Sequence, residues 1–157
     1  MDYVVNTLDF STAKDLVDPF ETTIRYLGAL VSAVDLLDAN FTTFEPPLPD
    51  GARDALLHKA VSLAQRLAPA FDSPSGMPWP RINFTTATGC REVEGARPYP
   101  NYWHATIGPA RTGSNWLENS RLSDLTGDPI YRANATRSWR WVCCRGGARA
   151  RACADMS

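Results

Sequence analysis

Apolar and polar positions alternate with a helical period in two stretches of this chain, and those two stretches organise the rest. From Ala52 onward, Leu56, Ala60, Leu63 and Leu67 fall on one face, and Leu57 and Ala64 widen the stripe. Arg53, Lys59, Ser62 and Arg66 take the opposite side, so this segment is predicted to be an amphipathic helix. The earlier stretch is different in kind. Ile24, Leu27, Leu30, Val31, Val34, Leu36 and Leu37 are apolar on most sides, which predicts a helix from about Pro19 to about Leu37 that is buried all round. Its start is well marked: Asp18 suits the N-cap, Pro19 the first helical position, and Glu21 the place of a capping-box carboxylate. Glu21 and Arg25 lie one turn apart on a line that Gly28 and Ser32 continue. Between the two helices Pro46, Pro47 and Pro49 enforce a connection, so the pair should fold as an antiparallel hairpin.

The remaining pattern is weaker. Residues 1–17 read as a short lead-in or as the end of an earlier helix. A loop is predicted over about 72–105, where Pro74, Gly76, Pro78, Pro80, Gly89, Gly95, Pro98 and Pro100 interrupt any period. Its aromatic residues Trp79, Phe84, Tyr99, Tyr102 and Trp103 can line a sugar groove or anchor the loop to the core, and anchoring is the simpler reading. A third helix is expected over roughly Ala110–Leu125. Ala110, Gly113, Leu117, Ser120 and Asp124 are expected on one face, with Trp116, Leu122 and Leu125 supplying apolar contact. Thr126-Gly127-Asp128-Pro129 then reads as a left-handed stop followed by the cap and first residue of another helix. After Tyr131 apolar periodicity gives way to arginines and clustered cysteines. The chain is accordingly divided into a domain over 1–131 and an atypical tail over 132–157, expected to be disordered or translated out of frame. A basic nucleic-acid arm is the alternative for that tail.

Composition narrows the function classes. Hydrophobic residues at 44% and charged residues at 21% suit an ordinary globular domain. A formal net charge of −1 argues against nucleic acid as a partner. No apolar run reaches the length of a membrane span, and the N-terminus has no signal-peptide pattern, so any targeting segment is expected outside this sequence. Cys90, Cys143, Cys144 and Cys153 have no metal-ligand or framework spacing. His58 reads as a surface or boundary histidine. Sequons at Asn40, Asn83 and Asn134 are candidate N-glycosylation sites if the chain enters the secretory lumen.

The helix start Phe20-Glu21-Thr22-Thr23-Ile24-Arg25-Tyr26-Leu27-Gly28-Ala29 resembles the first catalytic motif of the class I α-1,2-mannosidases, glycoside hydrolase family 47. The resemblance continues through Lys59–Phe71 and through Ser75-Gly76-Met77-Pro78-Trp79-Pro80-Arg81-Ile82-Asn83. Leu117-Glu118-Asn119-Ser120-Arg121-Leu122-Ser123-Asp124-Leu125-Thr126-Gly127-Asp128-Pro129 is similar to a later signature in its fungal form. The ordered matches cover Asp9 to about Tyr131. They imply an all-α fold, helical hairpins forming part of an (α/α)7 barrel. They also imply inverting, calcium-dependent removal of α-1,2-linked mannose from high-mannose N-glycans in the secretory pathway. By residue match Glu21 would be a catalytic carboxylate, commonly the general acid, and Arg25 the adjacent substrate-binding arginine that tunes and holds it.

The departures from the family pattern are specific. Ala29 replaces a glycine, and Arg111 stands near a position that is acidic in several relatives. Inversion needs a second carboxylate about 6.5–9.5 Å from the first. In the family the remaining catalytic acids and the calcium-binding threonine come from later hairpins, so this chain is expected to be a fragment, inactive by itself and without a metal ligand of its own. Two alternatives remain open: a mannosidase-like glycan-binding protein of ER quality control, and a non-catalytic helical interaction domain in which Glu21 only caps its helix.

Overall fold

The computed structural model describes residues 2–39, 48–74, 76–90 and 108–144. After a short helix α1 (Asp2–Asn6), the chain reaches Asp18 in extended conformation and enters α2 (Pro19–Thr22). A π-helical turn over Thr23–Leu27 leads without interruption into α3 (Gly28–Asp38). The N–H of Gly28 reaches back five residues to the carbonyl of Thr23, which defines that turn. The helix predicted over Pro19–Leu37 is therefore present and contains one extra residue in a turn. That insertion breaks the 3.6-residue phase on which full burial was expected. Leu27, Leu30, Val31 and Val34 face the core, whereas Ile24, Tyr26 and Leu36 are exposed at 39%, 50% and 42%.

The amphipathic helix α4 (Ala52–Leu67) has the predicted start and the predicted buried face, with Leu56, Ala60, Leu63 and Leu67 at or near zero exposure. Arg53 at its start grips Asp38 at the end of α3 through two hydrogen bonds of 2.8 and 2.9 Å, so the two helices run antiparallel. His58 is exposed, as expected. A 3-10 turn (Ala68–Phe71) closes α4.

The predicted loop has more structure than its glycines and prolines suggest. Strands β1 (Arg81–Asn83) and β2 (Thr88–Cys90) pair antiparallel, with Ile82 opposite Gly89. Val17 and Ile82 exchange both backbone hydrogen bonds, at 2.8 and 2.9 Å, and thereby tie the hairpin to the approach to α2. The described aromatics act as anchors. Phe84 is buried, and the Trp79 indole lies over Gly89, where any Cβ would stand 1.9 Å from the ring. Tyr99, Tyr102 and Trp103 lie outside the described residues.

The third helix divides at Ser114 into α5 (Pro109–Gly113) and α6 (Asn115–Thr126). Its buried side matches the expected one only in part: Gly113, Ser120 and Leu122 are buried as expected. Leu117 is 72% exposed, while Thr112, Asn115, Asn119 and Ser123 are buried beside Leu122. Polar side chains can occupy that side because they are satisfied locally. The Asn115 amide donates to the Arg111 carbonyl at 3.0 Å, and the Asn119 amide to the Asn115 carbonyl at 2.8 Å. Gly127 ends α6 in left-handed conformation (φ 75°), and the Asp128 carboxylate accepts from the N–H of Ile130, as the punctuation predicted.

Helix α7 (Ile130–Cys144) carries packed structure beyond the expected boundary at residue 131. Its inner positions are Tyr131, Ala135 and Ser138, spaced as one helical face yet mostly small or polar, so a scan for apolar residues misses them. The Ser138 hydroxyl, with no solvent exposure, donates to the Thr112 carbonyl at 2.8 Å and joins α7 to α5. Residues 145–157 lie outside the described residues. Among the described residues no helix is long and apolar enough to cross a membrane.

Candidate functional site

The start of the first long helix is held by a cluster that crosses three segments. The Asp18 carboxylate accepts from the backbone N–H of Phe20 at 3.0 Å and of Glu21 at 3.3 Å, so it is the N-cap. The same carboxylate receives the guanidinium of Arg81 from β1 and that of Arg111 from α5, the latter at 2.6 Å. Arg111 also lies over the Phe20 ring, 5.7 Å from its centroid. Burial pushes the Asp18 carboxyl up, but the Glu21 N–H and the two arginines outweigh it and hold the group below the usual carboxylate range. Arg111, the position where the family pattern is departed from, is thus engaged with Asp18.

One turn further on, Arg25 Nε donates to Glu21 Oε2 at 2.6 Å. The structure brings these two expected site residues together and leaves both accessible, with side-chain exposures of 42% for Glu21 and 68% for Arg25. Glu21 does not need its carboxylate for capping, since Asp18 serves there. Arg25 lies within the π turn, which ends at Leu27 just before Gly28 begins α3.

Opposite Gly28 stands Glu118 of α6, a residue the sequence pattern did not single out. A Cβ on Gly28 would touch Glu118 Cγ and Oε1 at 3.6 Å. Glu118 Oε2 is shielded from solvent and has no hydrogen-bond partner among the described residues. Burial pushes this carboxyl up from the ordinary glutamate value. Arg121, one turn along the same face, grips Asp35 of α3 through its Nε and Nη2 at 2.7–3.0 Å and fixes α6 against α3. The clue available in the sequence was a carboxylate beside the polar run Asn115, Asn119 and Ser123, residues that pack inward. Ala29, which replaces the family's second glycine, is exposed and meets no steric demand.

The sequons fall in different settings. Asn83 ends β1 and its side-chain oxygen accepts from the N–H groups of Thr85 and Thr86 at 2.8 and 3.1 Å. Asn134 lies within α7, and Asn40 lies outside the described residues. Cys90 and Cys143 are free thiols. Among the described residues no three His, Cys, Asp or Glu side chains come together as metal ligands.

Comparison with known proteins follows the same lines. The family model for glycosyl hydrolase family 47 matches residues 1–146. The chain is 41% identical over 132 residues to a probable mannosyl-oligosaccharide alpha-1,2-mannosidase 1B of Aspergillus clavatus, covering 81% of this chain and 22% of that protein. It is 42% identical over 129 residues to the mannosyl-oligosaccharide alpha-1,2-mannosidase of Penicillium citrinum, again covering 22% of the relative. Among solved structures, the alpha-1,2-mannosidase from Trichoderma reesei superposes with a TM-score of 0.72 at 34% identity, over 93% of this chain and 28% of that one. The chain therefore spans about a quarter of the length of these relatives.

Proposed function

Because the chain belongs to glycosyl hydrolase family 47, in which its helical hairpins form part of an (α/α)7 barrel, we propose that it supplies one wall of an α-1,2-mannosidase site. The substrate class is the α-1,2-linked mannose of high-mannose N-glycans, and the setting is the secretory pathway. The observation that carries this reading is the Glu21–Arg25 pair, accessible and relieved of any capping duty by Asp18.

In this role Glu21 delivers a proton to the departing glycosidic oxygen, directly or through one water, and Arg25 fixes its rotamer. Glu118 adds, on the neighbouring helix, a carboxyl oxygen that is shielded and, among the described residues, without a hydrogen-bond partner. The carboxylate that activates water in an inverting reaction is expected from parts of the domain outside this chain. So is the ligand for calcium, and no step is derived through the ion.

The test has two arms. The 157-residue chain, assayed on a Man9 N-glycan with calcium, is expected to release no mannose. A chimera in which residues 1–144 replace the matching portion of the Trichoderma reesei enzyme is expected to be active. Glu21→Gln in that chimera should lower kcat by at least about 100-fold with folding intact, the lower range for a positioned proton donor. A fully active Glu21→Gln chimera would reduce Glu21 to a surface partner of Arg25.

A further inference from the structure

The two helical hairpins of this chain lie side by side in a repeating arrangement. Helix α3 runs antiparallel to α4, and α6 runs antiparallel to α7, where the Arg132 N–H donates to Ser123 Oγ and the Trp116 indole to Thr136. Helices α3 and α6 point the same way, with Gly28 opposite Glu118 and Asp35 held by Arg121. One further step of the same kind places a helix on the side of α6 that faces away from α3.

That side carries Gly113, Leu117, Ser120 and Asp124, spaced three or four residues apart. Leu117, at 72%, is the most exposed large apolar side chain among the described residues. It borders a groove of about 460 Å³ whose walls include Pro109, Gly113, Trp116 and Trp139. Gly113 admits the Trp139 ring to the wall, since a Cβ there would stand 2.8 Å from the indole. On the same side the Ser120 hydroxyl oxygen is buried without a hydrogen-bond partner among the described residues, a state that native proteins rarely leave uncompensated. The groove offers little to a polar ligand. The Trp116 indole N–H is taken by Thr136, and the Ser114 hydroxyl donates to the Ala110 carbonyl at 2.6 Å. An apolar helix face with one polar group opposite Ser120 suits this surface.

We propose that the groove between Leu117 and Trp139 seats the next helical hairpin of the barrel, an amphipathic helix from the part of the domain outside this chain. The occupant follows from the barrel reading given above, and the chain spans only about a quarter of the relatives that share it. The large apolar side chains of that helix enter between Trp116, Leu117 and Trp139, and its closest approach is at Gly113 and Ser120.

The experiment places Leu117→Cys in the full chain and in the chimera of residues 1–144 with the Trichoderma reesei enzyme. Maleimide alkylation of the introduced thiol is followed at that position by peptide mass spectrometry, in buffer and in urea. Folding should slow the reaction by no more than about threefold in the full chain and by at least about 100-fold in the chimera, where the hairpin must open before the reagent enters. Leu117→Asp, as a second variant, should leave the full chain melting within about 1 °C of the parent and lower the chimera by at least about 4 °C. Equal protection of the thiol in chain and chimera overturns the proposal, whether both react fast or residues of this chain already shield it in both. A dimer of the full chain that light scattering detects and Leu117→Asp abolishes also overturns it, since the occupant is then a second copy. So does a chimera recovered only as aggregate. None of these readouts is activity. A protected thiol in a folded but inactive chimera upholds the seat and refutes the mannosidase reading.

Discussion

Replacing Asp18 with asparagine separates two roles that the carboxylate combines. Asparagine caps a helix about as well as aspartate, so the Phe20 and Glu21 N–H groups keep their acceptor. What is lost is the anion that holds Arg81 and Arg111. The side chains of these three residues are 16%, 22% and 32% exposed, between the exposed and buried extremes. Exposed pairs contribute about 0–1 kcal/mol, and breaking a buried pair costs about 3–5 kcal/mol. Asp18→Asn should therefore cost about 2 kcal/mol. Asp18→Ala, which also removes the cap, should cost about 3 kcal/mol. At about 2–4 °C per kcal/mol for a chain of this size, the asparagine variant should melt about 4–8 °C lower. Because the folded Asp18 carboxyl lies below its ordinary value of 3.8, the stabilisation is fully present above that pH and is lost as pH falls from there through the lower folded value. Thermal unfolding at pH 7 and at pH 3, followed by circular dichroism, provides the assay. A double-mutant cycle with Arg111→Leu should give a coupling of about 1 kcal/mol. The clamp would be refuted if Asp18→Asn melted within about 1 °C of the parent at pH 7, below the smallest shift the pair predicts.

Three other outcomes follow from the same geometry. The raised carboxyl of Glu118 opposes folding where it must ionise. Glu118→Gln should raise Tm at pH 7, and the gap should close as pH falls below the ordinary value of 4.5, as a pH series of melts would reveal. Leu122→Ala, at a position with no exposure, should cost about 2–5 kcal/mol in urea unfolding. Leu117→Ala, on the exposed side, should fall within about 0.5 kcal/mol of the parent, and a larger loss would mean that α6 buries the other face.

The features legible in the sequence were those that one segment determines for itself. The α4 stripe, the Asp18 cap, the Gly127 stop and the Asp128 restart each depend on periodicity or on backbone preferences of a few adjacent residues. The Glu21–Arg25 pair was visible for the same reason, since a helix places residues four apart side by side. Tertiary structure decided whatever depends on distant partners. The π turn shifts the helical phase and exposes Ile24 and Tyr26, and no local rule places that extra residue. Helix α7 buries Ala135 and Ser138, the latter bonded to the Thr112 carbonyl, so its inner face has little hydrophobic signal. Glu118 comes to stand opposite Gly28 where Arg121 and Asp35 hold α6 against α3. Arg111 looked like a misplaced charge until folding carried it across 93 positions to Asp18. Sequence alone determined the helices and their caps. The choice of which side chains meet across them was made by packing, because burial and ion pairing are properties of contacts and not of residues.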